Sequence, residues 1–303
     1  MITTFGIPPL LTCVLILFVL PIMFLRAVRW KVVAEGLDLQ LKTADAAGAL
    51  CLSQLANLII PGSLGDLVRI PYMTHRGNRM DRSIISILLD SVIGSIVPFA
   101  VGVMAIAVIL QVNITIELFL LVLIWIFGGY CVYRIIRATL WSRFTQARLK
   151  RLMKEGITGR TFFTLPSMLT SIGHMRIAAS LVFSIALFSL YVTQAYVLAI
   201  ALGMSIEWTY LAISLGLTSL LIAIPVTIQG LGVREGVLLF MLAPLGIEPV
   251  VIISFSLTLM MINLVPAIAG FAIWTKNPFI DITSQVILDT EISDQPLIYP
   301  DGE

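Results

Sequence analysis

Long apolar runs separated by short charged segments are the main pattern along the chain. The uncharged runs are residues 1–25, 46–65, 91–116, 177–206, 208–233 and 249–275. Most of them exceed the roughly 20 residues that a helix needs to cross the hydrocarbon core of a bilayer. They are continuous, whereas the strands of a membrane barrel alternate between apolar and polar positions. The pattern therefore predicts an all-α, polytopic membrane helix bundle.

Five of the predicted spans are uninterrupted, and two further apolar stretches are broken. The uninterrupted spans are about 8–25, 91–111, 118–136, 177–202 and 250–274. The stretch 44–75 is broken at Ile60-Pro61-Gly62-Ser63-Leu64-Gly65, and the stretch 208–245 at Ile224-Pro225 and Gln229-Gly230-Leu231-Gly232. Proline lacks a helical hydrogen-bond donor and glycine costs a helix about 1 kcal/mol relative to alanine, so we expect a helix to stop at each break.

Basic residues predict how these stretches lie in the membrane. If 44–75 crossed it completely, the later loop 134–176, with its nine lysines and arginines, would be outside, against the positive-inside rule. We therefore expect 44–75 to enter and leave from the cytoplasmic side and 208–245 from the outer side. The N-terminus is then outside and the C-terminus cytoplasmic, with only Arg234 of 19 basic residues in the outer half. The alternative in which 208–228 and 234–245 each span stays open.

Composition agrees with a membrane protein and excludes several function classes. Of the 303 residues, 59% are hydrophobic and 12% charged, and the mean hydropathy is +1.03. A soluble domain usually has about 25% charged residues. A net charge of +2 does not suggest nucleic-acid binding. The three cysteines and two histidines show no disulfide, zinc or nucleophile–base spacing, so we expect no metal, no cofactor and no enzymatic activity.

The two breaks resemble each other. The first reads Pro61-Gly62-Ser63-Leu64-Gly65-Asp66-Leu67-Val68-Arg69, and the second runs from Pro225 to Gly230-Leu231-Gly232-Val233-Arg234-Glu235. Each has a proline, a glycine-rich segment and then an arginine close to an acid. Entering from opposite faces, they predict two inverted re-entrant hairpins whose broken helices meet near the midplane, where many transporters bind their substrate.

This arrangement suits an anionic ligand. A half-helix that begins inside the membrane presents unpaired N–H groups and the positive end of its dipole, which bind phosphate readily. Arg69 and Arg234 are candidates for bidentate contacts. Asp66 and Glu235 are candidates for orienting these arginines, for receiving a cationic headgroup or for carrying a proton. The alternative is that both arginines lie near helix ends and pair locally for structural reasons. Asp90, at the start of a span, is expected at the membrane interface; the alternatives are that it pairs with a nearby arginine or serves as a proton site.

Domain boundaries follow the same pattern of charge. Residues 1–275 form one predicted transmembrane domain. The segment 276–303 carries one lysine and six acids, and is expected to be a mobile cytoplasmic tail. The basic segment 143–160 is a topology signal that favours anionic lipid headgroups.

Three motifs carry a family resemblance. They are Arg29-Trp30 after an early span, Asn57 followed by the segment from Pro61 to Arg69, and Pro225 with Gly230-Leu231-Gly232-Val233-Arg234-Glu235-Gly236. Together they resemble the transmembrane region of the lysylphosphatidylglycerol synthase family, the flippase half of the bacterial multiple peptide resistance factor. The likeness covers roughly residues 20–275. It implies a flippase-like protein of the cell (inner) membrane that works on lipids, and not lysyl transfer.

The sequence thus favours a protein that binds an anionic lipid headgroup and helps it between leaflets. The ligand is expected to be a phospholipid or a polyprenyl phosphate. The expected binding residues are Asn57, Gly62, Gly65, Asp66, Arg69, Gly230, Gly232, Arg234 and Glu235. The alternative is an accessory scaffold for envelope glycolipid or exopolysaccharide synthesis, with a second copy of the chain or an envelope-synthesis protein as its partner.

Overall fold

The computed structural model describes residues 9–60, 64–74, 76–110, 172–223 and 230–276. Within these ranges the protein is a helix bundle without strands, which confirms the predicted all-α membrane class. The predicted span 118–136, the basic segment 143–160 and the tail after Lys276 lie outside the described residues. So do Pro61, Gly62 and Pro225.

Ten α-helices and two 3-10 turns make up the described residues. They are α1 Pro9–Leu17, α2 Val19–Glu35, α3 Thr43–Asn57, a 3-10 turn Leu64–Val68, α4 Arg69–Thr74, α5 Met80–Leu110, α6 His174–Ala201, α7 Trp208–Ile222, α8 Val233–Leu242, a 3-10 turn Ala243–Leu245, α9 Pro249–Asn263 and α10 Val265–Lys276. Within the described ranges, four segments are long and apolar enough to cross a bilayer: Cys13–Glu35, Arg82–Ile106, His174–Ala201 and Pro249–Lys276.

The first span is longer than the sequence predicts. We expected it to end at residue 25, before the basic residues, but α2 continues to Glu35. The expectation was wrong because Arg29 does not turn outward to water. It is 6% exposed and is paired inside the bundle, so its charge does not end the helix. The turn after α2 contains Asp38 at a positive φ of 57°.

One end of the bundle, here called the basic end, collects most of the charged side chains. Arg176 at the start of α6 donates to the Glu35 carbonyl (3.3 Å), and Arg82 pairs with Asp38 (2.9 Å). The end of α2 and the beginnings of α5 and α6 therefore lie side by side. The basic end carries Lys42, Arg76, Arg79, Arg82, Arg176 and Lys276.

The first broken stretch folds back on itself. Arg76, just after α4, pairs with Asp45 in the first turn of α3 at 3.0 Å. The Tyr72 hydroxyl lies close to Gly48, where an added Cβ would be 3.2 Å away. The beginning of α3 and the end of α4 are thus neighbours at the basic end.

The second broken stretch, like the first, has its two ends side by side, and we call the two stretches the first and the second hairpin. The Tyr210 hydroxyl, in the first turn of α7, donates to the Met241 carbonyl near the end of α8 (2.7 Å). Gly230 and Gly232 have positive φ values of 73° and 85°, which glycine adopts readily, and they lead the chain into α8. This hairpin opens at the end away from the basic one, next to Glu207.

Small residues let the helices approach closely. A Cβ added to Gly102 on α5 would lie 2.6 Å from the carbonyl oxygen of Gly216 on α7, so both glycines are needed for this contact. Two apolar clusters fill the bundle. One is built on α2 to α5 around Trp30, the other on α6 to α9 around Phe255, and Met23 contacts both. A polar cavity lies between helices of the two clusters.

Candidate functional site

A carboxylate at the centre of the bundle holds two arginines. Asp90 on α5 is 1% exposed. Its Oδ1 accepts a hydrogen bond from Arg29 Nε (2.9 Å) and its Oδ2 one from Arg69 Nη1 (3.1 Å). Charge-assisted bonds of this kind are stronger than neutral ones, and here they compensate charges that are removed from water. Asp90 therefore joins α2, α5 and the first hairpin.

Arg29 reaches this site because a neighbouring helix gives it room. A Cβ on Gly94 of α5 would lie 2.7 Å from both terminal nitrogens of Arg29, closer than real Cβ atoms come. The guanidinium also donates to the hydroxyl of Ser184 on α6 (3.1 Å). A side chain at position 94 would therefore displace the guanidinium of Arg29 from its present place.

Arg69 is enclosed on every side. Its Nε donates to the Ser53 hydroxyl (2.9 Å), its Nη2 lies 3.0 Å from Asp66 Oδ1, and its Cζ is 5.0 Å from the Trp30 ring centroid. A cation above an indole ring gains about 0.5–2 kcal/mol, depending on its desolvation. The Arg69 side chain is fully buried, so its partners are those of the protein itself.

The hairpin turn is held next to Arg69 by a close backbone contact. Asn57 Nδ2, at the end of α3, donates to Asp66 Oδ1 (3.2 Å). Gly65 packs directly on Asn57: an added Cβ would be 2.5 Å from both its backbone nitrogen and its Oδ1. Asn57 and Gly65 therefore shape the turn that presents Asp66.

Arg26 completes the group of charges. It lies one helical turn before Arg29 on α2, is half-buried, and interacts electrostatically with Asp66, Asp90 and the other two arginines. With the part of the chain that the structure describes, it makes no hydrogen bond or ion pair. Among the described residues, three guanidinium groups thus face two carboxylates, which leaves a net charge of +1.

A cavity of about 460 Å³ opens beside these charges. Its wall includes the charged Arg26, Arg29, Asp66 and Asp90. Its uncharged polar residues are Gln54, Ser91, Ser95, Ser184, Tyr191, Ser219 and Asn263, and the rest is apolar, including Val19, Met23 and Phe188. Gln54 belongs to the first hairpin and Ser219 to the second, so the cavity lies between the two.

The structure brings part of the predicted site together. Asn57, Gly65, Asp66 and Arg69 form one cluster, but Arg69 lies behind the cavity wall and does not line it. The predicted ion pair of Arg69 with Asp66 is confirmed at 3.0 Å.

The residues predicted from the second hairpin lie apart from this cluster. Glu235 accepts from the Gly232 N–H and from the Ser256 hydroxyl, both at 2.6 Å, so this N–H is already used within the hairpin. Arg234 is within electrostatic range of Tyr191, which lines the cavity. Gly230 is buried against Ile222. None of these residues joins Arg69 in an ion pair among the described residues.

Sequence reasoning left three important residues out of the predicted site. Asp90 was expected at the membrane interface, with pairing to a nearby arginine as an alternative, and the structure buries it between two arginines. Arg26 and Arg29 were treated as basic residues that follow a span. Arg26 and Arg29 are three residues apart, which puts both on one face of a helix. Asp90 follows a run of apolar residues. Charges at membrane depth usually pair or serve a function. These signals could have found the site.

Comparison with known families identifies the family of this chain. The family model described as Lysylphosphatidylglycerol synthase TM region matches residues 2–270, nearly the whole chain. Neither the curated proteins nor the solved structures contain a match.

Proposed function

Since this chain belongs to the lysylphosphatidylglycerol synthase transmembrane-region family, a lipid-related family of multi-pass membrane proteins, we propose that it binds an anionic lipid headgroup in the polar cavity and helps the lipid between leaflets. The observation that carries the proposal is the guanidinium of Arg26, which lines the cavity beside Arg29 and Asp90 and makes no ion pair with the described part of the chain. In this proposal the cavity holds the phosphate and the apolar wall faces the acyl chains.

A phosphate corrects the charge imbalance of the site. Placing an arginine at the centre of a membrane helix costs about 2.5–3.5 kcal/mol on insertion scales. A guanidinium binds phosphate with two parallel hydrogen bonds, which a lysine cannot reproduce. Arg26 would make this contact, assisted by Arg29. Arg69, which lies outside the cavity wall, would hold Asp66 and Asp90 in place.

The two hairpins support movement of the lipid. The ends of each hairpin lie side by side, which favours our proposal that each enters and leaves the membrane from one face. The first would open to the cytoplasm and the second to the outside, with the N-terminus outside and the C-terminus inside. Inverted hairpins that meet at a central site allow alternating access from the two leaflets.

The second candidate function is that of a scaffold that binds a lipid without moving it. The Arg29–Asp90–Arg69 network fixes two helices and the first hairpin to one another through buried contacts of 2.9 and 3.1 Å. Such a rigid centre favours a scaffold that presents a lipid to envelope-synthesis enzymes without moving it. In both candidates the protein acts without covalent chemistry, because the carboxylates in the cavity wall are bound to arginines.

Lipid movement in vesicles tests the proposal. The purified full chain is placed in phosphatidylcholine vesicles that contain a fluorescent anionic phospholipid, and a quencher added outside reports movement between leaflets. We expect the wild-type protein to accelerate movement and Arg26→Gln to lose most of it. Arg176→Gln, an arginine of the basic end, is the matched control and should behave as wild type. Equal activity of Arg26→Gln and wild type would contradict the assignment, and binding without movement would favour the scaffold.

Cysteine labelling tests the proposed orientation. Single cysteines are placed at Arg76, next to the first hairpin, and at Glu207, next to the second, in a chain whose native cysteines are replaced by serine. We expect an impermeant reagent added outside intact cells to label position 207 and not position 76. Labelling of both positions would contradict two hairpins that open to opposite faces.

A further inference from the structure

Positive charge at the basic end exceeds the carboxylates that the structure describes there. These carboxylates already have lysine or arginine partners at 2.9–3.6 Å: Glu35 with Lys31, Asp38 with Arg82 and Asp45 with Arg76. Lys42 and Lys276 are exposed and make no ion pair with the described part of the chain. The basic end is therefore able to bind a further acidic group.

Helix α10 ends beside these charges. It runs along α3 in the opposite direction, because Gly270 packs on the backbone carbonyl of Cys51 and the Ile273 side chain lies 3.7 Å from where Gly48 would carry a Cβ. From Ile273, α10 continues for about one turn to Lys276. Since α3 begins at the basic end, the chain that follows Lys276 starts there too.

The chain after α10 is strongly acidic. Residues 277–303 contain no lysine, arginine or histidine. Their six acids lie within residues 281–303, here called the acidic segment: Asp281, Asp289, Glu291, Asp294, Asp301 and Glu303. An extended chain covers about 3.3–3.6 Å per residue, so Asp281 can reach up to about 18 Å from Lys276 and Asp294 up to about 60 Å. Neighbouring helices pack about 8–10 Å apart, so charges on several helices of the basic end are within reach.

We propose that the acidic segment binds the basic end of the same molecule. Its carboxylates would pair with Lys42 and Lys276 and join the existing pairs of Arg76 and Arg82. The bound segment would lower the positive charge that this end presents to other anionic surfaces. This contact lies apart from the polar cavity, so it goes beyond the proposed function and holds whether or not the cavity binds lipid.

The covalent link makes a contact between exposed charges effective. A single exposed ion pair contributes little to stability. A partner on a short linker, however, has an effective concentration in the millimolar range, and here several charges of each sign meet. Salt should weaken the contact, because the Debye length falls from about 10 Å at 0.1 M ionic strength to about 3 Å at 1 M.

A distance measurement between two spin labels tests this binding in the full chain. Nitroxides are attached to cysteines placed at Gln40 and at Ser293, and the native cysteines are replaced by serine. Gln40 is an exposed, uncharged residue of the basic end, where its backbone N–H contacts Asn78, and Ser293 belongs to the acidic segment. Pulsed electron paramagnetic resonance in phosphatidylcholine vesicles gives the distribution of distances. We expect a distinct short-distance population at about 0.1 M salt that is largely lost at about 1 M.

Charge variants on both sides identify the groups that bind. The short-distance population should be lost when three acids near the label are neutralised by Asp289→Asn, Glu291→Gln and Asp294→Asn. Lys42→Gln together with Lys276→Gln should have the same effect, and both lysines are exposed, so the packed core is unchanged. The matched control replaces three uncharged residues of the acidic segment and should keep the population: Ser284→Asn, Gln285→Asn and Gln295→Asn.

Three results would overturn the proposal. Equal distances in the neutralised and wild-type chains would show that the acids do not bind. Loss of the short distances on neutralising the acids, but not in Lys42→Gln with Lys276→Gln, would place the acidic segment elsewhere, with the basic segment 143–160 as its partner. Loss of the wild-type short distances in vesicles that also contain phosphatidylserine would make the anionic leaflet the ligand of the basic end. Lipid movement is measured separately, so failure of this proposal is distinct from failure of the proposed function.

Discussion

Replacing Asp90 by asparagine is the sharpest test of the buried charge network. The change preserves shape but removes the negative charge that compensates Arg29 at 2.9 Å and Arg69 at 3.1 Å. The side chains of all three residues are at most 7% exposed, so water compensates little of the loss. Breaking a buried ion pair costs about 3–5 kcal/mol. Because asparagine still accepts one hydrogen bond, we expect Asp90→Asn to lower the free energy of unfolding by about 3 kcal/mol.

The chain offers a matched control for this substitution. Asp38 pairs with Arg82 at the same distance, 2.9 Å, but its side chain is 84% exposed. Exposed pairs contribute about 0–1 kcal/mol, and asparagine tolerates the positive φ of this position as aspartate does. Asp38→Asn should therefore change stability by less than about 1 kcal/mol.

Unfolding in mixed micelles, followed by tryptophan fluorescence during titration with dodecyl sulfate, measures both variants. A double variant, Asp90→Asn with Arg29→Gln, removes a charge of each sign and leaves the Arg69–Asp66 pair. It should regain most of the stability lost in the single variant, since neighbouring changes are not additive. If Asp90→Asn is no less stable than Asp38→Asn, the guanidinium groups are not buried as the structure has them.

Two further predictions concern the hairpins. Gly65→Ala should destabilise the protein by about 1–3 kcal/mol, because its Cβ would lie 2.5 Å from Asn57, whereas Gly236→Ala, with no atom within 4 Å, should be neutral or stabilising in thermal unfolding. Equal melting temperatures of the two variants would contradict this. Tyr210→Phe removes the hydrogen bond to Met241 and should cost about 1 kcal/mol in the same measurement, so an unchanged stability would show that this bond does not hold the second hairpin closed.

The sequence by itself determined the class of the protein and the positions of its helix breaks. Uncharged runs of about 20 residues require a membrane, and backbone groups there must be satisfied within helices. The helix breaks could be predicted because glycine and proline disrupt a helix at their own positions in the chain. In the structure α3 ends at Asn57 and α8 begins after Gly232. The resemblance to the family, stated on motifs around these breaks, is confirmed over residues 2–270.

Only the tertiary structure decided which charges come together. Arg69 was a predicted ligand, but it is buried against Ser53, Asp66 and Asp90 and does not line the cavity, whereas Arg26 does; in our proposal Arg69 therefore has a supporting role. The sequence around an arginine at membrane depth is the same whether or not the arginine forms an ion pair. Its state depends on partners such as Asp90, which lies 61 residues from Arg29 in the chain. Pairings over such distances are set by helix packing, and a local pattern of residues does not contain them.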